Sequence, residues 1–136
     1  MRELRIVIPG KIVPKGRPRL DRRHGRLYTP AATVAYEGFV RDHISIMAGR
    51  QRRESWPYLG PVEVEIIAWL LKPKRTKHPD HPAGKPDLDN IVKVALDAIT
   101  GAGVWKDDAQ VVAMDARKVW TEEAECLWVT IIPYPA

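Results

Sequence analysis

Apolar and charged residues alternate at the start of VEVEIIAWLL, and this period of two predicts a strand over residues 61–71 with one side exposed. The period changes to that of a helix over residues 29–48. There Tyr36, Phe39, Val40, Ile44 and Met47 fall on one arc, with Glu37, Arg41 and Ser45 opposite. The arc is expected to be core. Thr29-Pro30 provides an N-cap and a first-turn proline, and Gly49 a stop. A second helix is expected over residues 89–99, closed by Thr100-Gly101. Its apolar arc takes in Ile91, Val92, Val94, Ala95, Leu96, Ala98 and Ile99, which leaves Asp89, Asn90, Lys93 and Asp97 on a narrow polar stripe. A helix buried on most sides leaves such a stripe to meet water or to line a site.

Shorter segments complete the pattern. Residues 6–8 and 11–13 read as strand material broken by Pro9-Gly10. The basic run PKGRPR follows, and on extended chain Lys15, Arg17 and Arg19 share one face. His24-Gly25 marks a hairpin turn that returns the chain through Arg26, Leu27 and Tyr28. This arm reads either as a charged edge strand kept from aggregating or as a grip on nucleic-acid phosphates. Residues 73–86, PKRTKHPDHPAGKP, hold four prolines and four Lys or Arg and must be a loop. His78, His81 and Asp80 lie in it, but spacing places no further zinc ligand. Residues 111–120 and 127–133 are expected to be two strands forming a hairpin around residues 121–124. The fold class is α+β: one domain over residues 1–136, a small mixed sheet packed with about two helices.

Composition sharpens this. With 136 residues, 45% of them hydrophobic, the chain supports a single core. Its one cysteine, Cys126, excludes an intramolecular disulfide and suits a reducing cytoplasm. The opening MRELRIVIPGK has too short an apolar stretch for a signal peptide, and no run reaches membrane-spanning length. A cytoplasmic protein with no membrane partner is expected. The net charge of +5 is unevenly spread: residues 1–53 carry 13 Lys and Arg against 4 Asp and Glu. The remainder is net acidic. A one-sided excess fits a face that tracks phosphates, and it turns the basic arm and the basic loop towards nucleic acid.

The candidate chemistry lies in KPDLDN at residues 85–90 and WKDD at residues 105–108. Asp87 and Asp89, two apart before a helix, can point to one side, and Lys93 follows Asp89 at helical spacing. Mg²⁺ takes oxygen ligands and is usually held by one or two carboxylates with water and substrate phosphate. Beside a phosphodiester it can activate water and offset developing charge. The chain from Thr100 to Asp108 is long enough to bring the second acidic pair back to the first, though nothing requires it. The plainer reading keeps Asp87 or Asp89 as a helix cap, Lys93 as an ordinary ion-pair partner and Asp107-Asp108 as a turn.

The segment KPDLDNIVKVALDAITGAGVWKDDAQVV resembles the signature of the RusA family of Holliday junction resolvases, typically encoded by phages and prophages. IPGKIVPKGRPR and GRLYTPAATVAYE are similar to that family's opening segment, so the resemblance covers most of the chain. It implies an α+β homodimer that cuts four-way junction DNA with Mg²⁺, with Mn²⁺ able to substitute and no organic cofactor, in a bacterial or phage-infected cell. By position it assigns Asp87, Asp89 and Asp108 as essential acids and metal ligands, Lys93 as the essential lysine, and Asp107 as a less certain ligand. Lys15, Arg17 and Arg19 match the basic opening motif. With Arg22, Arg23, Lys74, Arg75, Lys77 and Lys85 they make up the expected DNA-binding set. A four-way junction has near two-fold symmetry and needs two opposed nicks, which an isologous dimer supplies. Two other readings stand beside this one: a non-catalytic junction-binding or branched-DNA-binding protein, and a nuclease acting mainly on flaps, forks or other branched DNA.

Overall fold

A computed structural model of the chain describes residues 3–51 and 57–135. Its elements in chain order are β1 (Leu4–Pro9), β2 (Arg19–Asp21), β3 (Arg26–Tyr28), α1 (Ala31–Gln51), β4 (Val62–Leu71), α2 (Leu88–Gly101), a 3-10 turn (Asp108–Gln110), β5 (Val111–Thr121) and β6 (Cys126–Pro133). Four of the strands form one mixed sheet in the order β1-β6-β4-β5, as the α+β pattern requires. The strand β4 is central because its alternation is so regular: Val62, Val64, Ile66, Ala68 and Leu70 are all buried on one side. Parallel strands need a crossover, and α2 provides it. The chain leaves the end of β4 through residues 72–87, returns along α2, and enters β5 parallel to β4.

The last two strands do not form the expected hairpin. β6 lies on the far side of β4, antiparallel to both β4 and β1. Once the crossover has placed β5 on one edge of β4, β6 on the other edge aligns its buried residues with those of β4. Leu127, Val129 and Ile131 stand opposite Ala68, Ile66 and Val64. The crossing is fastened by Glu125. Its carboxylate accepts from the amides of Ile12 (3.0 Å) and Leu71 (2.9 Å), and its carbonyl accepts from the Gly10 amide. This also explains why residues 11–13 are not a strand: the Ile12 amide is bonded to a carboxylate rather than to a neighbouring strand.

The helix α1 continues through Gly49 to Gln51, two residues past the expected stop. A mid-helix glycine costs only about 1 kcal/mol, and the last turn is held from outside. Gln51 donates to the Arg5 carbonyl and accepts from its amide. The buried arc is Thr33, Tyr36, Val40, Ile44 and Ala48, with Met47 partly buried. Phe39, expected in the core, is instead exposed and packs its ring near His43 at 5.5 Å. α1 packs on β1 and α2, and α2 on β5. The opposite side of the sheet stays open, with Arg5, Val7 and Trp128 exposed on it. Among the described residues no helix is long and apolar enough to cross a membrane.

Candidate functional site

The first acidic turn begins α2. Asp87 occupies the N-cap position with extended backbone, yet its side chain caps nothing. Its carboxylate accepts instead from Lys85 Nζ at 2.8 Å and remains 43% exposed. That disposes of the plain capping role for Asp87. Asp89, in the first helical turn, accepts from the Asn90 amide and is exposed. A carboxylate is favoured there by the positive end of the helix dipole. Lys93 is exposed on the same helix and, among the described residues, forms no ion pair, so the expected Asp89–Lys93 contact is not made. The hydrogen bond from Lys85 is the main reason that Asp87 titrates below the usual aspartate value. The charges of Lys85, Lys118 and Arg17 act in the same direction.

The second acidic turn is built on a core residue. Trp105 is buried and its indole N–H donates to Thr100 Oγ1 at 2.7 Å. Gln110 holds the rest with a saturated carboxamide. Its oxygen accepts from the amides of Lys106 and Asp107, and its nitrogen donates to the carbonyls of Tyr58 and Gly60. Asp107 caps the 3-10 turn by accepting from the Ala109 amide at 2.9 Å. The two adjacent acids therefore divide their work: Asp107 builds the turn, and Asp108 displays its carboxylate. Desolvation first, then the hydrogen bond and charge of Asp107, then the charge of Asp97 push the Asp108 carboxyl above its ordinary value.

The two turns shift in opposite directions, with opposite consequences for stability. The depressed Asp87 contributes stability above its unfolded pKa, which is lost as pH falls through the lower folded value. The raised Asp108 favours the folded state when protonated, and that contribution fades as pH rises through the elevated folded value. Side-chain carboxyl ¹³C shifts followed against pH should place Asp87 below 3.8 and Asp108 above it. Coincident midpoints would remove the electrostatic distinction between the turns.

The basic residues are distributed unevenly. Arg17, Arg19, Arg22 and Arg23 are exposed on the arm, whose β2–β3 hairpin turns at Gly25 (φ 62°). Lys15 is not a free cation beside them. Its ammonium bonds Glu37 at 2.7 Å and Asp97 at 3.2 Å, and its side chain is only 20% exposed. Adjacent contacts fix this inward turn. The Lys15 amide donates to the Asn90 carbonyl, and the Gly16 amide donates to Thr33 Oγ1. A Cβ on Gly16 would lie 2.9 Å from Pro30 Cγ and from Thr33 Oγ1, so the strap crosses the helices where only glycine fits. Lys74, Arg75, Lys77 and Lys85 are all exposed on the loop of residues 72–87. That loop is fastened to β5: Trp120 donates to the His78 carbonyl, and Lys118 to the carbonyls of Gly84 and Pro86.

Among the described residues Asp87, Asp89 and Asp108 of one chain do not form a ligand set for a single metal ion. Asp108 stands in the electrostatic neighbourhood of Asp97, eight residues along α2 from Asp89 and so about 12 Å further down its axis. Asp87 has a different set of neighbours, all basic. Among the described residues no three His, Cys, Asp or Glu side chains form a ligand set for one metal ion, and that includes His78 and His81. The donor chemistry, carboxylate oxygens alone, is that of a hard cation such as Mg²⁺. The single-chain geometry does not fit a three-carboxylate site. The role of Lys118 had no signal in the sequence, because its partners are backbone carbonyls remote along the chain. Gln110 did have one, the Asp107-x-x-Gln110 capping box.

Comparison with known proteins follows the same segments. The family model Endodeoxyribonuclease RusA matches residues 9–132. The chain is 28% identical over 131 residues to the uncharacterized protein YqaN of Bacillus subtilis, covering 88% of this chain and 89% of that protein. Over 45 residues it is 69% identical to the crossover junction endodeoxyribonuclease RusA of Escherichia coli K12, and equally to that of Shigella sonnei. This shorter match spans 33% of the chain and 38% of those relatives.

Proposed function

The chain belongs to the RusA family of endodeoxyribonucleases, and from that premise we propose that it resolves four-way DNA junctions by paired symmetric nicks, as a Mg²⁺-dependent homodimer. The observation that carries the reading is that neither Asp87 nor Asp108 is used to build its own turn. Each acidic turn is built by other groups, Lys118 and the α2 backbone in one, Trp105, Gln110 and Asp107 in the other. That leaves Asp87 and Asp108 with side-chain partners, Lys85 and Asp107, but no part in capping. The relatives named crossover junction endodeoxyribonuclease, matched over 45 residues, favour a junction over other branched DNA.

The dimer answers the lack of a three-carboxylate ligand set within one chain. Two chains about a two-fold axis can offer the Asp87 and Asp89 of each chain the Asp108 of the other. In this arrangement Asp87 and Asp89 of one subunit and Asp108 of the partner subunit would hold Mg²⁺, which supplies an activated water and charge neutralisation when bound. The remaining work falls to this chain's own cations. Lys93 presents an unpaired ammonium to the scissile phosphate, a preorganised positive charge where negative charge develops. Arg17, Arg19, Arg22, Arg23 and the exposed lysines and arginine of the loop hold flanking phosphates, which fixes orientation without reading bases. Lys15, paired with Glu37 and Asp97, joins the arm to the two helices rather than holding DNA.

The test is direct. Purified protein with a synthetic four-way junction and Mg²⁺ should yield paired nicks in opposed strands, stopped by chelator and restored by Mn²⁺. Saturated binding with no nicking in either metal, over several junction sequences, would leave a non-catalytic binding protein. Flaps and forks run alongside would expose a different substrate if one of them is cut faster.

A further inference from the structure

Lys118 lies in β5, outside every segment considered so far as chemistry, and its ammonium is committed entirely to the backbone of the loop before α2. It donates to the carbonyl of Gly84 at 2.8 Å and to that of Pro86 at 2.9 Å. The Pro86 carbonyl belongs to the peptide group whose nitrogen is that of Asp87. On its other side Asp87 is fixed by the helix, since the Ile91 amide donates to its carbonyl. The backbone of Asp87 is therefore held from both directions, while its side chain makes no cap. Hydrogen bonds from a charged donor are about twice as strong as neutral ones, and these two are part-buried.

We propose that Lys118 is the positioning residue for Asp87: it anchors the peptide preceding that acid to the sheet, so that the carboxylate is aimed before DNA arrives. The anchor is specific to this end of the loop. Trp120, two residues on along the same strand, donates to the carbonyl of His78, nine residues before Asp87. A loop of this composition would otherwise be free to move its last residues independently of the sheet. With Lys118 in place, the segment that carries Lys85 and Asp87 moves with β5.

The inference rests on the proposed role of Asp87 in cutting, and its test has one arm that does not. Lys118→Met keeps the length and apolar stem of the side chain but removes the donor. Amide hydrogen exchange in residues 83–89 should accelerate at least about tenfold in Lys118→Met, while exchange in β4 and α1 stays unchanged. In the cutting assay kcat should fall about 10- to 100-fold with junction Kd within about threefold, because the acid is displaced and the DNA-holding cations are not. Lys118→Arg, which keeps a charged donor, should recover most of the lost kcat, and Trp120→Phe should leave kcat within about threefold. Unchanged exchange near Asp87 in Lys118→Met overturns the proposal, whatever the enzyme does. So does an equal loss of kcat, binding and melting temperature, which marks a merely structural lysine. If Lys118→Met does not fold, Lys118→Gln reads the same exchange signature, and its absence there is equally decisive. Wild-type protein that cuts no DNA refutes the nuclease reading instead, and leaves the exchange arm to judge the anchor.

Discussion

Asp108→Asn is expected to lose junction cutting by about 10³-fold or more, at least ~4 kcal/mol of transition-state stabilisation, while folding as well as the parent or slightly better. The two effects arise from one placement. Asp108 does not build the turn that carries it, which is made by Asp107, Gln110 and Trp105, and its hydrogen bond with Asp107 can be kept by an asparagine amide. Its ionised form is disfavoured in the folded chain by desolvation, Asp107 and Asp97, so removing the charge relieves repulsion at neutral pH. The side chain is exposed and solvent screens most of that repulsion, so the melting temperature should rise by no more than about 1–3 °C. Junction affinity should hold or tighten slightly, since one negative charge is gone from a surface that binds phosphates. Asp107→Ala should behave in the opposite sense. It removes the cap of the 3-10 turn, so melting falls by an amount near ~1 kcal/mol, and cutting drops only as far as the turn loosens. Differential scanning calorimetry and single-turnover cutting on the two variants separate these patterns. A fully active Asp108→Asn would end the catalytic assignment of this acid.

The adjacent acids illustrate what can be read from the chain and what cannot. Asp107 caps the 3-10 turn, so of the pair Asp108 is the one whose side chain does not build it. The strand β4 and the helix α2 were legible because their periods are strong and local: a central strand with every second residue buried, and a helix with a wide apolar arc. The arrangement of β6 was not legible. Adjacent strands in sequence usually pair, but here the parallel crossover had already used one edge of β4, and core alignment drew β6 to the other. Phe39 and Gly49 show the same limit on a smaller scale. Periodicity places a residue on a helix face, but what packs on that face is decided by β1 and α2. Lys15 shows the same limit among the expected DNA-binding residues. In sequence it is one of a row of cations with Arg17 and Arg19; in the fold it is held between Glu37 and Asp97 from two different helices. Charge counting along a chain cannot distinguish a cation that is neutralised by distant acids from one that is not.

The second large effect concerns which chain supplies which acid. If a site joins Asp87 and Asp89 of one subunit to Asp108 of the partner subunit, two inactive variants should restore each other. In a dimer of one Asp87→Asn chain and one Asp108→Asn chain, one composite site carries both substitutions. The other carries neither. With the two chains tagged differently and the mixed dimer purified, nicking should return to about half the parental rate, because one of two symmetric sites is whole. The nicks should fall in one strand at a time, since opposed paired cutting needs both sites. Each homodimer of either variant should remain inactive. Were every site built within a single chain, both sites of the mixed dimer would hold one substitution, and no activity would return. The absence of a single-chain ligand set among the described residues favours recovery. A mixed dimer that binds junctions normally yet never nicks them would require the ligand set to be completed within one chain, by moving its second acidic turn against the hold of Trp105 and Gln110.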